Sequence, residues 1–153
     1  MNWVIRNSRK IRYQTDLEEI LKPIWNDLLN YRWIITDVDF ITDSQIPLNF
    51  ENEFFSLDRN EFEKIMKSDT QIIWEIISAV KNDYKIDPNN ILNLSCESNE
   101  VWEENVFLIP DSIVEIVAFD SGYTILKFKE EKLSEQFKNY FEEDAIELKK
   151  INQ

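Results

Sequence analysis

The chain has no histidine, one glycine (Gly122) and one cysteine (Cys96). Without histidine, the commonest general base and the usual orienter of a nucleophilic triad are missing. With one thiol and no imidazole there is no nitrogen and sulfur ligand set for zinc. A single glycine cannot build a phosphate-cradling P-loop or a dinucleotide turn, so no nucleotide cofactor is expected. A lone cysteine cannot form an internal disulfide, which agrees with a reducing compartment and an expected cytoplasmic location. Apolar runs are only a few residues long and none follows the charged start, so neither a membrane span nor a secretory signal is expected.

Bases are missing from two long stretches. No Lys or Arg occurs from Trp33 to Asp58 or from Ile86 to Leu126, and these windows carry 14 of the 30 acids. The first holds Asp37, Asp39, Asp43, Glu51, Glu53 and Asp58; the second holds Asp87, Glu97, Glu100, Glu103, Glu104, Asp111, Glu115 and Asp120. Ordinary surfaces intersperse the two signs, so a long single-sign stretch raises solubility or presents a negative field to a cationic partner. Arg6, Arg9, Lys10 and Arg12 all precede the first acid, Asp16, which leaves the rest of the chain more acidic than the total of −13 indicates. Such a body repels phosphates, so nucleic-acid binding is not expected. The N-terminal bases read as solvated residues flanking a short edge strand.

What is present suits a folded core. Hydrophobic residues make up 43% of 153 residues and aromatics 13%, enough for one domain spanning 1–153 without a disulfide or metal staple. Trp3-Val4-Ile5 reads as a strand. Thr15 and Glu18 have capping-box spacing ahead of a helix carrying Leu17, Ile20, Leu21, Ile24, Leu28 and Leu29, which Pro23 interrupts. Trp33 to Ile41 reads as a strand, Thr42 to Leu57 as a long loop containing Pro47, and Asp58 to Lys67 as a helix capped by Asp58 or Ser56. Gln71 to Val80 fits a buried strand or a buried helix, and its isoleucines favour the strand. Asp87-Pro88-Asn89-Asn90 reads as a turn and Ile91 to Leu94 as a short strand.

Ile113 to Phe119 and Tyr123 to Lys129 form the clearest hairpin, with Gly122 expected to supply the positive φ of a three-residue loop. That register sets Glu115 opposite Lys127 and Val117 opposite Ile125. Glu130 to Phe141 reads as a helix, and Ile146, Leu148 and Ile151 as a last edge segment. The expected fold is α+β, an antiparallel or mixed sheet with helices mainly on one face.

Two segments carry candidate chemistry. Asp37 and Asp39 end a hydrophobic strand in the Asp-x-Asp pattern that opens haloacid-dehalogenase-type phosphotransferases, with alternation placing both carboxylates on one face for a nucleophile or a Mg²⁺ pair. The rest of that pattern fails: Ile41 stands where a Thr is needed, no glycine-rich turn follows, and no metal site is expected. Cys96 has no cationic neighbour in sequence and reads as buried or inert. In Glu97 to Glu104, four carboxylates (Glu97, Glu100, Glu103, Glu104) surround Trp102 with no base among them. A tryptophan anchor ringed by acids suits recognition of a basic partner, while the plainer reading has Trp102 packing on the core and the glutamates facing water.

Asp111 to Tyr123, with Leu21-Lys22-Pro23-Ile24 and Tyr31-Arg32-Trp33-Ile34-Ile35, resembles a family of small, acidic bacterial proteins of unknown function. The resemblance spans most of the chain and carries no catalytic residue. In size and charge the chain is also similar to immunity proteins that neutralise toxins. The expected function is therefore non-enzymatic: a cytoplasmic inhibitor that binds a basic toxin such as a nuclease through Glu97, Glu100, Trp102, Glu103 and Glu104. The rivals are a metal-dependent hydrolase or phosphotransferase using Asp37 and Asp39, and a small-ligand or regulatory module.

Overall fold

Strands rich in Ile, Val and aromatics on both alternating faces need cover on both sides. The computed structural model describes residues 1–42, 45, 46, 48, 49 and 51–151. It contains strands β1 (Trp3–Ile5), β2 (Tyr31–Thr42), β3 (Phe54–Leu57), β4 (Thr70–Lys81), β5 (Val114–Phe119), β6 (Tyr123–Phe128) and β7 (Ile146–Glu147). They form one antiparallel sheet in the order β3-β2-β4-β5-β6-β1-β7. With about 29% helix and 31% strand, the chain is a single α+β domain, as expected.

The first face of the sheet lies under α1 (Leu17–Leu21), α2 (Arg59–Met66) and α4 (Glu131–Phe141). Trp33, Ile35, Ile77, Ala79, Ile116, Leu126 and Phe128 meet Ile20, Phe62, Ile65, Leu133, Phe137 and Phe141 there. Asp58 starts α2 with a full capping box, its carboxylate accepting the Glu61 N–H at 2.8 Å while Glu61 reaches back to the Asp58 N–H at 3.1 Å. Trp33 stacks on Phe62, with ring centroids 4.1 Å apart.

The helices of more than one turn thus lie on one face, as expected, and the second face is also buried. Segment 82–113, with the one-turn helix α3 (Pro88–Ile91) and a 3₁₀ turn at Asn99–Trp102, lies across it. Val4, Ile76, Val117 and Ile125 pack against Cys96, Val101, Leu108 and Leu148 of the C-terminal α5 (Leu148–Ile151), while Ile34 and Val80 pack against Ile91 and Ile109.

Several local expectations are corrected. The cap of α1 is Asp16; the Thr15 hydroxyl instead bonds the N–H and the carbonyl of Ile72, tying the loop to β4. As Pro23 requires, the helix stops early and restarts as a 3₁₀ turn at Trp25–Leu28. The expected loop ending at Leu57 contains β3, whose four residues pair with Trp33 to Thr36; Asp43 and Pro47 lie outside the described residues. Pro88–Ile91 is helical because Asp87 caps the Asn89 N–H and Pro88 suits the first helical position.

The β5–β6 turn is closed by the Gly122 N–H on the Phe119 carbonyl at 3.0 Å. Its positive φ values fall on Asp120 (49°) and Ser121 (52°), not on Gly122. The three-residue loop Asp120 to Gly122 and its register are as expected, but the positive φ falls on residues that accept the left-handed region through their short polar side chains. β1 is not an edge strand, because the two-residue β7 covers it. The N-terminal bases are also engaged within the fold: Arg12 bonds Asp16 and Asp69, and Lys10 sits 4.6 Å from the centre of the Tyr140 ring.

Candidate functional site

An irregular segment laid on a sheet brings backbone N–H and C=O groups that no helix or ladder satisfies, so the surface beneath it must supply partners. Strand register arranges the second face in rows that do this. The pairings Ile76 with Val117, Val117 with Ile125 and Ile125 with Val4 make an aliphatic row. The next row toward the far end pairs Ser78 with Glu115 and Glu115 with Lys127, and Asn2, one residue before Trp3, continues it.

This polar row fastens the acidic segment. The Lys127 ammonium donates to the carbonyls of Glu100 at 2.8 Å and Val106 at 2.6 Å. Glu115 Oε2 accepts the Leu108 N–H at 2.6 Å and the Ile109 N–H at 3.4 Å. The Asn2 amide donates to the Glu104 carbonyl and accepts the Phe128 N–H. Glu115 and Lys127 form an ion pair at 3.7 Å with both side chains 0% exposed. The expected cross-strand pair is therefore present, but as a sealed clamp. Burial pushes the Glu115 carboxyl up and the Lys127 ammonium down, and each charge opposes the shift of the other.

Asp37 adds a further fastening. It sits at a break in the β2–β4 register with φ 52°, and its carboxylate accepts the Cys96 N–H at 2.7 Å. Past the break Val38 and Phe40 pack against the first-face core, and Asp39 pairs with Trp74. Among the described residues, no group of three or more Cys, Asp or Glu side chains is positioned to hold a metal ion. Cys96 is buried, and burial together with Asp37 pushes its thiol well above the ordinary range, so it stays unionised and a poor nucleophile. Beside the bulge, a cleft of about 410 Å³ is lined in part by Asp37, Glu53, Phe55, Leu92 and Leu94.

The other end of the second face is aromatic. Phe119 pairs with Tyr123, Trp74 and Arg6 extend that row on either side, one residue past the last β4–β5 and β1–β6 pairs, and Trp102 descends onto it from the acidic segment. Phe119 lies at the middle, with Trp74 at 4.8 Å and Trp102 at 5.1 Å, both edge-on. Trp102 meets Tyr123 at 5.8 Å, and the Arg6 guanidinium lies 5.2 Å from the Tyr123 ring centre. All four aromatic residues are half-buried.

Of the residues singled out from the sequence, Glu97, Glu100 and Glu103 are exposed, Trp102 is half-buried, and Glu104 is partly buried with a carboxylate oxygen that has no hydrogen-bond partner. Sequence reasoning missed Asn2 and the tethering role of Asp37, because both act on backbone atoms distant in the chain. It found the Glu115–Lys127 pairing through the hairpin, whose register is local. No family model matches the chain, and neither the curated proteins nor the solved structures yield a match.

Proposed function

We propose that this chain is a cytoplasmic protein-binding inhibitor, of the kind that neutralises a basic toxin such as a nuclease. The observation that carries the reading is the base-free segment 97–104, which presents the exposed Glu97, Glu100 and Glu103 beside the half-buried Trp102 while its backbone is fastened to the sheet. A surface held in shape loses less conformational entropy on binding than a loose loop does. Its carboxylates attract a cationic cleft and stand in for the phosphates that such a cleft binds.

The test is affinity capture from the native cell at low ionic strength, followed by kinetics with the purified partner. The partner should be basic, it should lose its activity in the complex, and Glu97→Lys/Glu100→Lys/Glu103→Lys should slow association mainly at low salt, because steering is screened beyond about 8 Å at physiological ionic strength. A captured partner whose association ignores both salt and the triple substitution would refute the reading.

A further inference from the structure

We infer that the aromatic row at the β5–β6 hairpin end receives an arginine side chain of the basic partner; this rests on the proposed binding function and names its recognition chemistry. Three observations converge there. Trp74, Phe119 and Tyr123 are brought side by side by register, and Trp102 completes the cluster from the overlying segment, each ring keeping part of its surface in solvent.

The rim is acidic. Glu100 and Glu103 bracket Trp102 in sequence, Asp120 follows Phe119, and all three are exposed. The fold already sets one guanidinium on this row, that of Arg6 over Tyr123 at 5.2 Å.

Aromatic faces carry negative potential and attract cations. A guanidinium is favoured over an ammonium because it is planar, stacks on a ring, is weakly hydrated and can still fork to a carboxylate at the rim. Phosphate-bearing ligands would meet the same carboxylates as repulsion. The row sits four residues per strand from the Glu115–Lys127 clamp, with the aliphatic row between them, and the segment that the clamp fastens also carries Trp102 onto Phe119.

The probes are a nonapeptide of arginine and one of lysine, equal in charge, titrated into the full chain at low ionic strength and followed by backbone amide shifts. Arginine peptide should bind at least about fivefold tighter than lysine peptide, with shifts centred on Trp74, Trp102, Phe119 and Tyr123. Trp102→Leu and Tyr123→Leu should each remove most of that preference. Arg6→Ala, which leaves the packed rings in place, should strengthen arginine peptide more than lysine peptide by vacating the Tyr123 face. Equal affinity for the two peptides, or shifts elsewhere that none of the three substitutions alters, would overturn the arginine receptor while leaving an acidic binding protein intact. Failure of both peptides to bind at low salt would remove both readings.

Discussion

The two faces of the sheet are covered by different kinds of structure. Helices α1, α2 and α4 satisfy most of their own backbone, so the face beneath them is predominantly aliphatic and aromatic. Segment 82–113 is mostly irregular, and the face beneath it carries Asn2, Glu115 and Lys127 to bond the carbonyls of Glu100, Glu104 and Val106 and the N–H groups of Leu108 and Ile109. Buried polar groups on the second face are thus a consequence of what lies on it. They cost desolvation, and in return they hold an acidic loop in one shape without a helix.

The sharpest way to break this contrast is one substitution on each face. Lys127→Met leaves Glu115 buried without its partner and two carbonyls unbonded, and should cost about 3–5 kcal/mol in denaturant unfolding. Phe62→Ala, which removes the ring stacked on Trp33, should cost a similar amount, about 3–5 kcal/mol. Hydrogen exchange separates them: Lys127→Met should deprotect amides of 96–109 well before the strands open, whereas Phe62→Ala should lower protection throughout. Uniform loss in both variants would show that the acidic segment is not held separately.

Glu75 sharpens the comparison from the other side, as a carboxyl on the helix-covered face with no loop to fasten. It shares that face with Ile77 and Ala118, one carboxylate oxygen has no hydrogen-bond partner, and burial pushes it up to about 8 from an ordinary 4.5. Between those values the unfolded chain releases the proton and the folded chain keeps it, so rising pH favours unfolding. The loss should reach up to about 1.4 kcal/mol per pH unit and flatten beyond the upper value. Glu75→Gln should abolish that slope when its stability is compared with wild type across the pH range. Parallel curves for the two proteins would rule out the buried neutral carboxyl.

The smallest expected effect belongs to the self-sufficient side. Asp58→Ala removes the α2 cap and should cost ~1 kcal/mol, read as a modest fall in midpoint with no local deprotection at 96–109.

Legibility followed the range of the interaction. The Asp58 cap, the interruption at Pro23, the β5–β6 register and the apolar face of α4 depend on residues within a few turns of one another, and each was readable from spacing. The placement of positive φ in the hairpin was not, because Asp120 and Ser121 reach the left-handed region at a cost that the flanking strands repay. Thr15 looked like a cap until β4 offered it both an N–H and a carbonyl. Of the candidate site, the acidic exposure at Glu97, Glu100 and Glu103 was legible as charge pattern, while the inward turn of Glu104 and the meeting of Trp102 with Phe119 and Tyr123 were not.

By itself the sequence determined the α+β class, the main strands and helices, the pairing of Glu115 with Lys127 and the base-free character of two long segments, since composition and short-range periodicity are properties of neighbours in the chain. Only the tertiary structure decided that the second face is covered, that the cross-strand pair is a buried clamp, that Asp37 holds Cys96, and that four aromatic residues from separate segments gather at one end. Those outcomes depend on where segment 82–113 comes to rest, and its resting place is set by unpaired backbone groups finding side chains up to a hundred residues away.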